Sequence, residues 1–199
     1  MRVAPVLMFA LALACAGPLR AGDPMEQALE QARTTSSTAL GLDAEALRIT
    51  TYTDPAVPGL VVFHAHRPYD GGRVRQMGGA VVDGRTYVNG AEALGKVFEA
   101  WGYGSARTRP AEDVARVAVM LVASDEPSSV MTSESDFSYA KRSGFDDAAG
   151  PTDVDVDGRP GVRFWFSNGY NPFTEVDVVP AAIPGAPATI RYGRTHGGG

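Results

Sequence analysis

Apolar residues along the chain repeat with two different periods, and the points where the period switches divide it into helical and extended stretches. Met25, Ala28, Leu29, Ala32, Ala39 and Leu40 form a broken helical stripe. Asp23-Pro24 opens it, Glu26 sits where a capping box needs it, and Gly41 closes it. The hydroxyl-rich run Thr34 to Thr38 has weak helix preference, so the last turns should be the loosest. Leu47–Thr53 and Leu60–His66 then gather β-branched and apolar residues, separated by Asp54-Pro55 and Pro58-Gly59. Gly79–Val82 and Arg85–Asn89 flank Asp83-Gly84, the signature of a two-residue hairpin.

The helical period returns at Asn89. Asn89 caps, Leu94, Val97, Phe98 and Trp101 fall on one face, Glu92 and Lys96 stand four apart as an ion pair, and Gly102 stops the helix. Pro110–Ser124 reads as another helix, with Glu112 and Asp113 in its first turn and Val114, Val117, Ala118 and Leu121 on one side. Residues 125–151 are polar without a sustained period, and read as a long loop or as one hiding a strand at Phe137–Lys141. Extended patterns resume at Asp153–Val156, Val162–Ser167, Thr174–Val179 and Thr189–Tyr192, joined by Asp157-Gly158, Asn168-Gly169 and a Pro-rich stretch ending at Pro187. The strings Val81-Val82-Asp83-Gly84-Arg85 and Asp155-Val156-Asp157-Gly158-Arg159 echo each other over too few residues to make a repeat. The order helix, strands, helices, strands predicts an α+β fold: antiparallel sheets packed with about three helices, over a single domain of residues 22–193. Residues 194–199, ending in three glycines, read as a flexible tail.

The first residues read as an address rather than as part of that fold. Arg2 precedes Val3–Ala14, an uncharged apolar run broken only by Pro5. About a dozen residues suit a signal peptide and fall short of the roughly 20 that span a bilayer. Gly17-Pro18 breaks the run, and Leu19-Arg20-Ala21 ends on a small residue, which predicts a signal peptide over 1–21. A second reading starts from Cys15, the only cysteine. Leu11-Ala12-Leu13-Ala14-Cys15 resembles a bacterial lipobox, which implies a leader of residues 1–14 and an acylated Cys15. The expected location is extracytoplasmic, periplasmic or secreted, or membrane-anchored through that lipid alone. In both cases no internal disulfide can form, so apolar packing must hold the domain.

Charge narrows the partners. The chain carries −5, or −7 once Arg2 and Arg20 leave with the leader, which argues against nucleic acid. Residues 61–110 hold seven Lys or Arg against four Asp or Glu, whereas 111–180 hold five against thirteen, the pattern of a solvated acidic face. The 23 glycines and 14 prolines fit short strands and many turns.

Several local patterns carry candidate chemistry. His64 and His66, two apart on a strand, face the same way and can grip one metal, with Asp70 or His196 as a third ligand. Asp153-Val154-Asp155-Val156-Asp157-Gly158 matches the opening of a calcium loop, but Phe164 stands where a bidentate Glu belongs, and a strand closed by an Asp-Gly turn explains the same residues. Trp165, Tyr170 and Phe173 form an aromatic group that serves either as an interaction surface or as the interior of a sheet covered on both sides. Ser138-Tyr139-Ala140-Lys141 has the S-x-x-K spacing without its companion motifs, and is set aside. Arg67, Arg73 and Arg75 around Asp70-Gly71-Gly72 read as surface arginines.

The expectation is an exported domain of non-catalytic role, binding a protein or other envelope macromolecule. The alternatives are a metal-binding protein or metal-dependent hydrolase centred on His64 and His66, and a calcium-stabilised extracytoplasmic domain. The sequence requires no cofactor, zinc and calcium being the two it leaves open.

Overall fold

The computed structural model describes residues 23–67, 75–103, 109–122, 128–167 and 173–195. Residues 1–21, expected to be a signal peptide, and Cys15, Asp70, Arg73, Tyr170 and His196 lie outside them. The described chain is α+β, with two antiparallel sheets and four helices in the order α1 (Pro24–Leu40), β1 (Arg48–Thr53), β2 (Val61–His66), β3 (Gln76–Val82), β4 (Arg85–Tyr87), α2 (Gly90–Trp101), α3 (Ala111–Val122), β5 (Ser129–Val130), α4 (Glu134–Arg142), β6 (Thr152–Val156), β7 (Arg159–Ser167), β8 (Phe173–Val179) and β9 (Thr189–Thr195). The first sheet runs β1-β2-β3-β4. In the second, β7 pairs with β5, β6 and β8, and β9 follows β8.

Cap chemistry sets the helix ends. Asp23 accepts a hydrogen bond from the Met25 N–H at 2.9 Å, and Asn89 accepts one from Glu92 at 3.2 Å. Gly41 and Gly102 end α1 and α2 in the left-handed conformation. α1 keeps its helix through Leu40 because Ser36 is buried and its Oγ donates back to the Ala32 carbonyl, so the hydroxyl needs no solvent. Lys96 pairs with Glu99 at 3.0 Å rather than with Glu92; one turn toward the C-terminus offers the nearer carboxylate. At both Asp-Gly turns, Asp83-Gly84 and Asp157-Gly158, the two residues have positive φ, the requirement of a tight hairpin.

Five layers result. On one side of the first sheet, Ala28 and Ala32 of α1 meet Val61, Phe63 and Val81. On its other side lie Val62, Ala80 and Val82, which share one core with α2, α3 and the second sheet's Val162, Phe164, Val176 and Val178. α3 contacts β2 and β3 of the first sheet and β7 of the second. Being faced on two sides, it is buried at Val114, Ala115, Val117, Ala118, Val119, Leu121 and Val122, more than one apolar stripe would require. The far side of the second sheet is covered by α4.

That fourth helix corrects the expected loop and its expected strand at Phe137–Lys141. Ser133 and Asp136 form a reciprocal capping box, and Phe137 and Ala140 turn inward to meet Trp165, Phe173 and Phe145. β9 likewise runs to Thr195, two residues into the stretch expected as a tail, because Arg194 is held by the Asp147 carboxylate at 2.6 Å and by Glu175 at 3.0 Å.

Arg194 also lies over the rings of Phe145 and Trp165, at 5.5 and 5.3 Å. Its hydrogen bond holds the Asp147 carboxyl below the usual carboxylate range. The folded state therefore binds that proton less readily than the unfolded one. The tether contributes fully above roughly pH 4 and is lost as pH falls through the depressed value. Thermal stability should stay flat from neutrality to about pH 5 and then decline, with a shallower decline in Arg194→Gln. Identical acid profiles for the two proteins would show that this tether does not sense pH.

Candidate functional site

The pleat of β2 decides where the two histidines point. Phe63 and Ala65 face α1, so Val62, His64 and His66 face the central helices. The register then places Gly78 opposite His64, and Gln76 opposite His66 on β3, with Thr50 and Arg48 in the corresponding places on β1. Residues opposite one another in a ladder project to the same side, so these positions make one polar floor at the end of an otherwise apolar sheet face.

Its geometry depends on Gly78. The last turn of α3 descends on this residue so closely that a Cβ there would lie 2.1 Å from the Met120 carbonyl oxygen and 3.1 Å from the Leu121 Cα. Only a residue without a side chain lets the C-terminal end of α3, with its outward carbonyls, approach the sheet beside His64.

His64 is 6% exposed. Burial, with a smaller contribution from His66, pulls its pKa down to about 4, so its imidazole is neutral at pH 7. His66 is half-buried, and burial together with the Arg48 charge lowers its pKa too. The two rings lie 5.9 Å apart, tilted by 33°. His64 Nε2, His66 Nδ1 and both terminal atoms of Gln76 are buried without a hydrogen-bond partner. Most buried polar atoms are paired, because an unpaired one forfeits about 1–3 kcal/mol of solvation. Four such atoms on three adjacent positions therefore call for an explanation. The expected third ligands Asp70 and His196 are outside the described residues, and among the described residues no group of three His, Cys, Asp or Glu that could hold a metal ion comes together.

The other sequence candidates do not assemble a site. The Asp153–Gly158 string forms the end of β6 and the β6–β7 hairpin turn. Asp155 lies opposite Pro160 and its Oδ1 accepts from the Gly158 N–H at 2.7 Å, while Asp157 is paired with Arg191. Strand geometry sends Asp153 and Asp155 along an extended segment instead of curling them around a centre. Of the two readings of the aromatic group, the interior one fits Trp165 and Phe173, Tyr170 lying outside the described residues. Trp165 and Phe173 are each 2% exposed beneath α4, because the second sheet is covered on both faces, and they present no surface to a partner. Ser138 and Lys141 sit on α4, and Lys141 is exposed to solvent.

A cavity of about 350 Å³ opens elsewhere, between the end of α2 and residues 180–186, walled by Phe98, Tyr103, Ile183 and Pro184. Its charged groups are already engaged, Glu99 with Lys96 and Arg159 with the Thr189 hydroxyl at 3.5 Å. No described helix is long and apolar enough to cross a membrane. Comparison with family models, with curated proteins and with solved structures finds no match to this chain.

Proposed function

We propose that this chain is an exported, extracytoplasmic binding domain, and that it takes its ligand at the polar floor of His64, His66 and Gln76. The observation that carries the reading is the set of unpaired buried atoms there. A fold that leaves neutral imidazoles without partners, beside well-packed valines and alanines, forgoes stability that an apolar side chain would recover. Such a loss is characteristic of sites kept for binding. The floor holds two imidazoles and an amide, which are groups that bind and orient. The hydrolase alternative needs a full ligand set for its metal, and among the described residues no group of three His, Cys, Asp or Glu that could hold a metal ion gathers here.

Export rests on the apolar leader with its break at Gly17-Pro18 and is tested by the N-terminus of protein recovered from a secreting bacterial host. A start at Gly22 supports cleavage by the general route, and a lipid-modified Cys15 supports the anchored form. An intact Met1 on cytosolic protein overturns export.

The binding reading is tested by stability. His64→Leu keeps volume and removes the unpaired nitrogen, so it should raise stability by about 1 kcal/mol, or roughly 2–4 °C in Tm. A loss of more than about 1 kcal/mol in that variant would mean that the imidazole is a structural element, and the reading would fail.

A further inference from the structure

We propose that the polar floor binds one late first-row transition-metal cation, of the zinc or copper type, through the His64 and His66 imidazoles with the Gln76 amide oxygen beside them. This names the ligand class of the binding site proposed above and rests on that reading.

The spacing fits. With metal–nitrogen bonds of about 2.0–2.1 Å, two imidazoles on one ion have ring centres roughly 5–6 Å apart. The observed separation is 5.9 Å, within that range. The donor atoms are also free. Nε2 of His64 and Nδ1 of His66 have no partner, and a neutral imidazole nitrogen with its lone pair available is the form that ligates. Oε1 of Gln76, on the residue opposite His66, is likewise unpartnered.

The sign of the surroundings separates a cation from an anion. The C-terminal turn of α3, the negative end of its dipole, reaches Gly78 directly opposite His64. Arg48 opposes this from β1, across from His66. An ion held by charge alone would gain little from that balance, whereas one bonded through nitrogen gains from the ligand bonds themselves. Calcium and magnesium take carboxylate and carbonyl oxygens, and none of the floor positions Arg48, Thr50, His64, His66, Gln76 and Gly78 carries a carboxylate. Imidazole suits zinc, copper and nickel. Two nitrogens and one amide oxygen supply three of the four positions of a tetrahedral ion.

The test uses the full chain, stripped with chelator and dialysed, then titrated separately with zinc chloride and copper chloride, with calcium and magnesium chloride as controls. Calorimetry and bound-metal analysis should give one zinc or copper ion per chain and no calcium or magnesium. His64→Phe and His66→Phe should each weaken the affinity by about tenfold or more. Near-ultraviolet circular dichroism checks that the variants fold. Long-range ¹H–¹⁵N spectra of unaltered protein answer the same question without a variant: zinc should move the side-chain nitrogen signals of His64 and His66 and leave those of His196. Binding that survives both substitutions, or that moves only His196, overturns the proposal. No saturable uptake of either metal overturns it too. If His64→Leu is then more stable than the parent, the binding reading stands with a ligand other than a metal; if it loses more than the amount named above for that variant, the binding reading fails as well.

Discussion

Asp54→Ala should destabilise the protein by about 3 kcal/mol, the scale of breaking a buried ion pair from one side. Asp54 is 4% exposed, in the turn between β1 and β2. Its Oδ1 accepts from the Ala56 N–H at 2.8 Å, and its Oδ2 faces Arg109 Nη2 at 2.7 Å, an ion pair without the alignment of a good hydrogen bond. Arg109 in turn lies 5.2 Å above the ring of fully buried Trp101. Removing the carboxylate leaves Ala56 without its acceptor and Arg109, whose side chain is 17% exposed, without its counter-charge. Because Asp54 follows β1 and Arg109 precedes α3, the change loosens a junction between sheet and central helices. In urea the midpoint should fall by about 1–2 M with an unchanged slope. Asp54→Ala combined with Arg109→Ala should cost less than the sum of the singles. A loss under about 1 kcal/mol would show that solvent replaces the pair.

Gly78→Ala should cost about 2–4 kcal/mol, lowering Tm by roughly 5–15 °C. The added methyl would meet the Met120 carbonyl oxygen and the Leu121 backbone, atoms that cannot rotate away as a side chain would. α3 must lift from the sheet, and it carries core residues that serve both sheets. Gly84→Ala is the control: nothing lies within 4 Å of its Cβ position, and the strain of a φ of +70° costs only about 1–2 kcal/mol. If Gly78→Ala were as mild as Gly84→Ala, the close approach that shapes the floor would be wrong.

Where side chains interact with their own neighbours, the structure was legible in the sequence. The caps at Asp23 and Asn89, the stops at Gly41 and Gly102, and both Asp-Gly hairpins depend on residues a few positions apart. α4 was missed although its Ser133/Asp136 box can be read, because only two inward residues follow the cap and the rest of the helix is polar. Trp165 was ambiguous for a different reason. Alternation tells which residues share a face but not whether that face is covered, and the cover is a helix from another part of the chain. The site divides in the same way. That His64 and His66 share a face follows from the period of a strand. That Gln76 and Gly78 stand opposite them follows from strand register, and that α3 ends there follows from tertiary packing, neither of which a single segment encodes.

The position of α3 has a consequence for how the polypeptide matures. A ribosome delivers residues 23–122 first, and that length already contains the whole of one sheet and the three helices laid against it. The flank of α3 that will meet Val162, Phe164, Val176 and Val178 then has nothing to rest on until some forty to seventy further residues have emerged. During that interval a greasy helical surface faces water, so the nascent half-protein needs a holding chaperone or must postpone its collapse. Truncation after residue 122 should accordingly yield aggregates rather than a smaller soluble unit.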